Sequence, residues 1–269
     1  MVGQLSQLIH LVAASRAAAI GTLPGDFYPS HGEFKFCNSV EFVDFRRGWF
    51  GKRTEVTVAA TPNEWLAQLS TAGVSTAFLR HWETDKPRAP DHALVGFVGG
   101  GGPWAFVASF QCHCEIWMAR WEVSKERAPD SRIWSVTYGC VDKTPIAARP
   151  APKLAELSAQ LHEALSRIED FALAHDLGSF APSFSRGREA LQAVDPAFPQ
   201  YVDTSLLGVY SVPARRLLAA SYAAWVFGGM GSWNDTGFQE SEIQAAYQLH
   251  SKALYDAINM AVEGATLDH

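Results

Sequence analysis

The chain has 269 residues, 48% of them hydrophobic and 19% charged, with a formal net charge of −6. It is long enough for a sizeable core and too apolar for a disordered segment. The charge is uneven: 15 Lys/Arg stand against 14 Asp/Glu in residues 1–150, and 7 against 14 in residues 151–269. An acidic C-terminal half repels a phosphate backbone and attracts a basic protein, which argues against nucleic acid as its partner. The same charge also serves simply to keep a helical surface soluble.

The N-terminal stretch MVGQLSQLIHLVAASRAAAI lacks a positive leader, and Gln4, Ser6, Gln7 and His10 interrupt its apolar run. Leu5, Leu8, Ile9 and Val12 fall at helical spacing, so the expectation is an amphipathic helix on the domain surface, not a signal peptide. No window reaches the ~18 uninterrupted apolar residues of a membrane span. Four cysteines are too few for a disulfide-stapled scaffold. Together these features predict a cytoplasmic protein with reduced thiols.

A Pro/Gly-rich loop, Gly21–Gly32, precedes short β-like runs: EFKF, VEFVDF and TEVTVAA. TPNEWLAQL then reads as a helix, with Thr61 as N-cap, Pro62 at the first helical position, Glu64 closing a capping box and an end near Gly73. Strand signals return in VSTAFLR, ALVGFV, WAFVASF, CEIWMARWEV and RIWSVTYGCV. In the last two, Trp117, Ala119, Trp121 and Val123 share one face, as do Trp134, Val136, Tyr138 and Cys140. The polar link SKERAPD suits a turn between antiparallel neighbours, with tryptophans facing across the pair.

Three prolines in Asp142–Lys153 mark a boundary near residue 148. Beyond it, Leu154, Leu157, Leu161, Leu165, Ile168 and Phe171 keep a helical period, with Gly178 as the expected C′ residue. A short helix is expected at Arg186–Ala193. Another should start at Ser211 and Pro213. A final one carries Ile243, Ala246, Tyr247, His250, Leu254, Ala257, Ile258 and Ala261 on one stripe. The predicted class is α+β: an antiparallel-sheet part with flanking helices over 1–148, then a mainly helical part over 149–269 packed on it. The two parts could also form one continuous domain.

Few stretches carry chemistry. Gly99–Gly102 is a run of four glycines, but Pro103 and a strand-like segment follow it where a phosphate loop needs a helix, so a hairpin turn is the simpler reading. Cys112, Cys114 and Cys140 invite a zinc site, but the Cys-x-Cys spacing is poor and no fourth ligand is evident; small buried hydrophobes explain them better. No motif calls for a cofactor. His81–His92 is the densest polar cluster, holding His81, Glu83, Asp85, Asp91 and His92. A solvated loop accounts for it, but if the protein is an enzyme of the hydrolase or transferase kind, His81, Asp91 and His92 are the catalytic candidates.

The joint VFGGMGSWNDTGF, Val226–Phe238, admits two readings. In one, Gly228 or Gly229 closes a helix ending at Phe227, Trp233 plugs the helix pair, and Asn234, Asp235 or Thr236 caps the next helix. In the other, an exposed Trp233 with Asn234, Asp235, Glu240 and Glu242 is a partner-binding hot spot. Lacking a catalytic signature, the chain is expected to be a non-enzymatic binder of a basic protein, of the bacterial immunity or antitoxin type. An enzyme with a site near His81–His92 or at the junction of sheet and helices is the alternative, and a small-molecule-binding regulator a third.

Overall fold

The computed structural model describes residues 1, 3–47, 53–82, 90–97, 100–124, 128–145, 151–229 and 231–268. Helix α1, Gly3–Ala19, leads through a short helix α2, Phe27–Ser30, and a single 3-10 turn at Gly32–Phe34 into strands β1, Cys37–Arg47, and β2, Arg53–Ala59. Helix α3, Pro62–Thr71, and strand β3, Thr76–His81, follow, then a one-turn helix α4, Asp91–Leu94. Strands β4, Trp104–Ser109, β5, His113–Val123, and β6, Trp134–Pro145, complete the sheet. The rest is helical: α5, Leu154–Ala174; α6, Ala181–Gln192; α7, Val212–Ala223; and α8, Ser241–Leu267.

The six strands form one sheet in the order β2-β1-β6-β5-β4-β3. The α+β class is as the sequence predicts, with strands first and helices after. The sheet is not wholly antiparallel, however: β1 runs parallel to β6, with Val40 opposite Val136 and Phe42 opposite Tyr138. A parallel neighbour needs a crossover, here made by everything between β1 and β6, and such long-range pairing leaves no local trace in sequence.

Several local readings hold. Thr61 Oγ1 accepts the Glu64 N–H at 3.3 Å, and Glu64 reaches back to the Ala60 N–H at 2.9 Å, so α3 starts where its capping pattern predicts. β5 and β6 pair with Trp121 opposite Val136 and Val123 opposite Trp134. The Trp121 and Trp134 rings meet edge to face at 5.9 Å. Ser211 caps α7 through the Ala214 N–H at 3.3 Å.

Others are corrected. ALVGFV forms no strand: its first residues finish α4 and its later described residues turn. EFKF forms no strand: Glu33 and Phe34 lie in a 3-10 turn and Lys35 and Phe36 in the turn that follows it. The left-handed C′ position of α5 is held by Asp176, φ 59°, not Gly178, and the Leu177 N–H closes the end on the Ala172 carbonyl at 2.9 Å.

The largest correction concerns α1. It is not a surface helix, since every residue from Leu5 to Ser15 is buried. Apolar on all sides, it runs through the centre, against α3, β3, β4 and the turn at Leu207–Val209. Its buried Ser6, Gln7 and His10 side chains find polar partners. Ser6 Oγ lies 2.7 Å from both Glu33 Oε1 and the Tyr222 hydroxyl. Gln7 Oε1 accepts the Tyr138 hydroxyl at 2.8 Å. The His10 Nδ1 and Nε2 atoms lie 2.9 and 2.8 Å from the Ser6 and Asp203 carbonyl oxygens. The sheet and the helices are thus tied together through α1, and buried apolar side chains from both form one cluster.

His31 completes this network. Its Nδ1 accepts the Glu33 N–H at 3.3 Å, and its Nε2 lies 3.5 Å from Asp203 Oδ2. Burial first, and the adjacent His10 second, lower its pKa to about 4. Partial burial pulls Asp203 upward, but hydrogen bonds from Ser205 and Gly32, with His31 beside it, bring it down to about 2. An unfolded histidine takes up its proton near pH 6.5, the folded one only near 4. Stability is therefore unaffected above pH 6.5 and falls by on the order of 2 kcal/mol as pH drops from about 6.5 to about 4. Urea midpoints at pH 7 and pH 5 check this: the wild type should lose stability at pH 5, and His31→Leu should flatten the loss. Equal wild-type midpoints would contradict it.

Candidate functional site

The enzymatic candidates lie where β3 ends and α4 begins; Glu83 and Asp85 fall outside the described residues. A Cβ on Gly102 would sit 2.4 Å from His81 Nε2 and 2.9 Å from Asp91 Oδ2, so these two side chains converge on that backbone. Gly102, at φ 73°, also takes a conformation that side chains disfavour. His81 Nε2 donates to the Gly101 carbonyl at 3.2 Å, and the Tyr255 hydroxyl donates to the same oxygen. His92 turns away: only 4% exposed, it donates from Nε2 to Gln248 Oε1 at 3.0 Å. Burial lowers its pKa and keeps it neutral. The Tyr255 ring stands between the two histidines, 6.2 Å from His81 and 6.4 Å from His92. Tyr255 was not legible as part of this cluster, because only the packing of α8 on β3 brings it there. That packing also shields the outer edge of the sheet: the Leu79 N–H donates to Thr266 Oγ1 and the His81 N–H to Glu263 Oε1.

The described glycines of the 99–102 run serve close packing. A Cβ on Gly100 would lie 1.9 Å from the Leu94 carbonyl oxygen. The cysteines do not gather, and they are not all buried hydrophobes as expected: Cys140 is buried, Cys114 half-buried and Cys112 exposed. The register sets Thr144 opposite Cys114 and Trp117 opposite Cys140, which separates the two thiols by on the order of 10 Å along the strands. Burial first, with Glu115 adding to it, pushes the Cys140 thiol up to about 12, away from the thiolate a metal needs. Among the described residues, no group of three or more His, Cys, Asp or Glu side chains is placed to hold a metal ion.

The Val226–Phe238 joint resolves on its structural side. Trp233 is 0% exposed. It stacks on Tyr247 at 5.4 Å, meets Phe180 and Phe184 edge-on, and donates its indole N–H to Ser251 at 2.7 Å. Buried this way, it is not an exposed anchor. α7 ends at Ala223, not Phe227. Asn234 and Asp235 do not cap α8; they shape a 3-10 turn, Trp233–Asp235, with Ser232 and Asp235 as its capping box. Asn234 Nδ2 also donates to the His92 carbonyl at 2.9 Å, fastening this joint to α4. Gly228 is required because the Gly96 Cα lies 3.0 Å from where its Cβ would stand. Of the proposed partner-facing residues, Asp235, Glu240 and Glu242 are exposed.

The outer helical layer carries the acidic surplus. On α5, Glu156, Glu163 and Asp170 recur every seven residues, and all three are exposed. On α8 the same interval aligns Glu242, Leu249 and Asp256, with Leu249 67% exposed. Seven residues are close to two turns, so each set forms a line along its helix. The two helices pack antiparallel: Phe171 meets His250 at one end and Leu157 meets Gly264 at the other. Lys153 pairs with Glu156, Arg167 with Glu163 and Lys252 with Asp256, which leaves Asp170 and Glu242 as the members of these lines outside such pairs among the described residues.

Two clefts escaped sequence reasoning, since each assembles residues distant in the chain. One, of about 510 Å3, lies between α3 and the start of β5 and is lined by Trp65, Phe110, His113, Glu115 and Lys143. In it, Glu115 accepts from Lys143 at 2.8 Å and from the Trp117 indole at 3.3 Å. The other, of about 650 Å3, lies among α6, the 193–201 segment and α7. Among the described residues, no helix is long and apolar enough to cross a membrane. No family model, curated protein or solved structure matches the chain.

Proposed function

We propose that the protein acts by binding a basic protein partner through its helical C-terminal layer, as an immunity or antitoxin-type protein does. The observation that carries this reading is the pair of acidic lines on α5 and α8, with Leu249 exposed between Glu242 and Asp256. An acidic field steers a basic partner, and an exposed apolar residue within it supplies contact area. His81 donates from Nε2 to the Gly101 carbonyl and His92 from Nε2 to Gln248 Oε1, so both rings are anchored within the fold.

The test is capture from the native host at low salt. The expected result is a single basic protein retained near one-to-one and released at high salt. Reversing Glu163, Asp170 and Glu242 to Lys should weaken its association at least about tenfold, chiefly through the on-rate. Retention that ignores both salt and charge reversal, or no retained protein, would defeat the proposal.

A further inference from the structure

We propose that the cleft among α6, the 193–201 segment and α7 receives an arginine side chain of that partner; the inference rests on the protein-binding reading. The cleft holds about 650 Å3, ample for one extended side chain. Its walls include Phe198, Tyr201, Tyr222 and Trp225. The polar tips of three of these rings are already engaged. The Trp225 indole N–H donates to the Phe227 carbonyl at 2.9 Å, and the Tyr222 hydroxyl lies 2.7 Å from Ser6 Oγ. The Tyr201 hydroxyl reaches the Tyr222 carbonyl at 3.5 Å. Tyr222 is 1% exposed, so the rings that offer a ligand surface are Phe198, Tyr201 and Trp225.

The charged groups at the cleft are Arg186, Glu189 and Asp195. Arg186 is held by Ser183 Oγ at 3.3 Å. Glu189 accepts a hydroxyl contact from Ser185 at 3.2 Å. Asp195, with its side chain 86% exposed, touches Arg215 through Oδ1 alone, at 3.3 Å. An exposed pair of that kind is weak and exchangeable. Ring faces and accessible carboxylates together suit a guanidinium, which stacks on aromatics and binds carboxylates through a planar fork. The stem of the incoming side chain would lie along Ala190, Ala193 and Ala197, whose small side chains leave the room. Tyr201 at 62% and Val194 at 86% exposure stand beside the cleft as apolar contact surface.

The test titrates the full chain with N-acetyl-arginine amide and, separately, its uncharged isostere N-acetyl-citrulline amide. The Trp225 indole N–H is followed by NMR. The arginine probe should shift Trp225 with a dissociation constant on the order of millimolar. The citrulline probe should bind about tenfold more weakly, the loss of one cation–π and one carboxylate contact. The double variant Glu189→Gln/Asp195→Asn, at two exposed positions, should shrink the difference between probes to its cation–π part, and Tyr201→Ala should weaken both. Equal binding of the two probes to wild type, or no shift of Trp225, overturns the inference even where a basic partner is captured. Arginine-selective binding without any captured partner overturns the protein-binding reading and leaves the cleft as an arginine site.

Discussion

Trp233→Ala should destabilise the protein by about 3–5 kcal/mol, among the largest losses a single substitution can produce here. The indole is fully buried, and Tyr247, Phe180 and Phe184 close around it, so the cavity left behind has no neighbour free to fill it. Its N–H also leaves Ser251 without that donor. Urea unfolding followed by far-UV circular dichroism checks the value. Trp233→Phe should cost less, because the ring packing survives and mainly the hydrogen bond is lost. A Trp233→Ala protein as stable as wild type would show that the joint does not pack as described.

His10→Leu should rank close behind, at about 2–4 kcal/mol, because buried acceptors lose their hydrogen-bond partner. His10 is 0% exposed, and its two ring nitrogens face the carbonyls of Ser6 and Asp203. Glu33 Oε1 lies 3.5 Å from Nδ1. A leucine fills similar space but leaves the Asp203 carbonyl without its His10 partner in a buried site. The loss should appear in the same urea experiment. Double substitution of His10 and Glu33 by Leu and Gln should cost less than the two single losses added, because the pair is coupled. Strict additivity would mean that the two side chains do not act together.

These two sites also show how far the sequence can be read. The Thr61-Pro62-Glu64 pattern is a local code: its donors and acceptors lie within four residues, so the start of α3 is legible directly. The same holds for Ser211 before α7. The β5–β6 pairing was legible because the alternation on each strand and the short link between them leave little choice of register. The outline of strands first and helices after follows from such local periodicities.

The candidate site was legible only in part. His81 and Asp91 are near in sequence and do meet at Gly102, but Tyr255 joins them from the last helix. The cleft among α6, the 193–201 segment and α7 has no motif, because it exists only once three segments have packed.

What the sequence by itself determined is therefore the local and the summed: the α+β class, the caps of α3 and α7, the β5–β6 hairpin and the acidic excess of residues 151–269. Tertiary structure alone decided the rest. It placed α1 in the centre, where apolar contact on every side and partners such as Glu33, Tyr138, Tyr222 and Asp203 make its polar residues acceptable. It set β1 parallel to β6, and it buried Trp233. The physical reason is common to these cases. A polar side chain in a helix, or a tryptophan in a loop, is compatible with either surface or core until a distant segment supplies its hydrogen-bond partner and covers its apolar face.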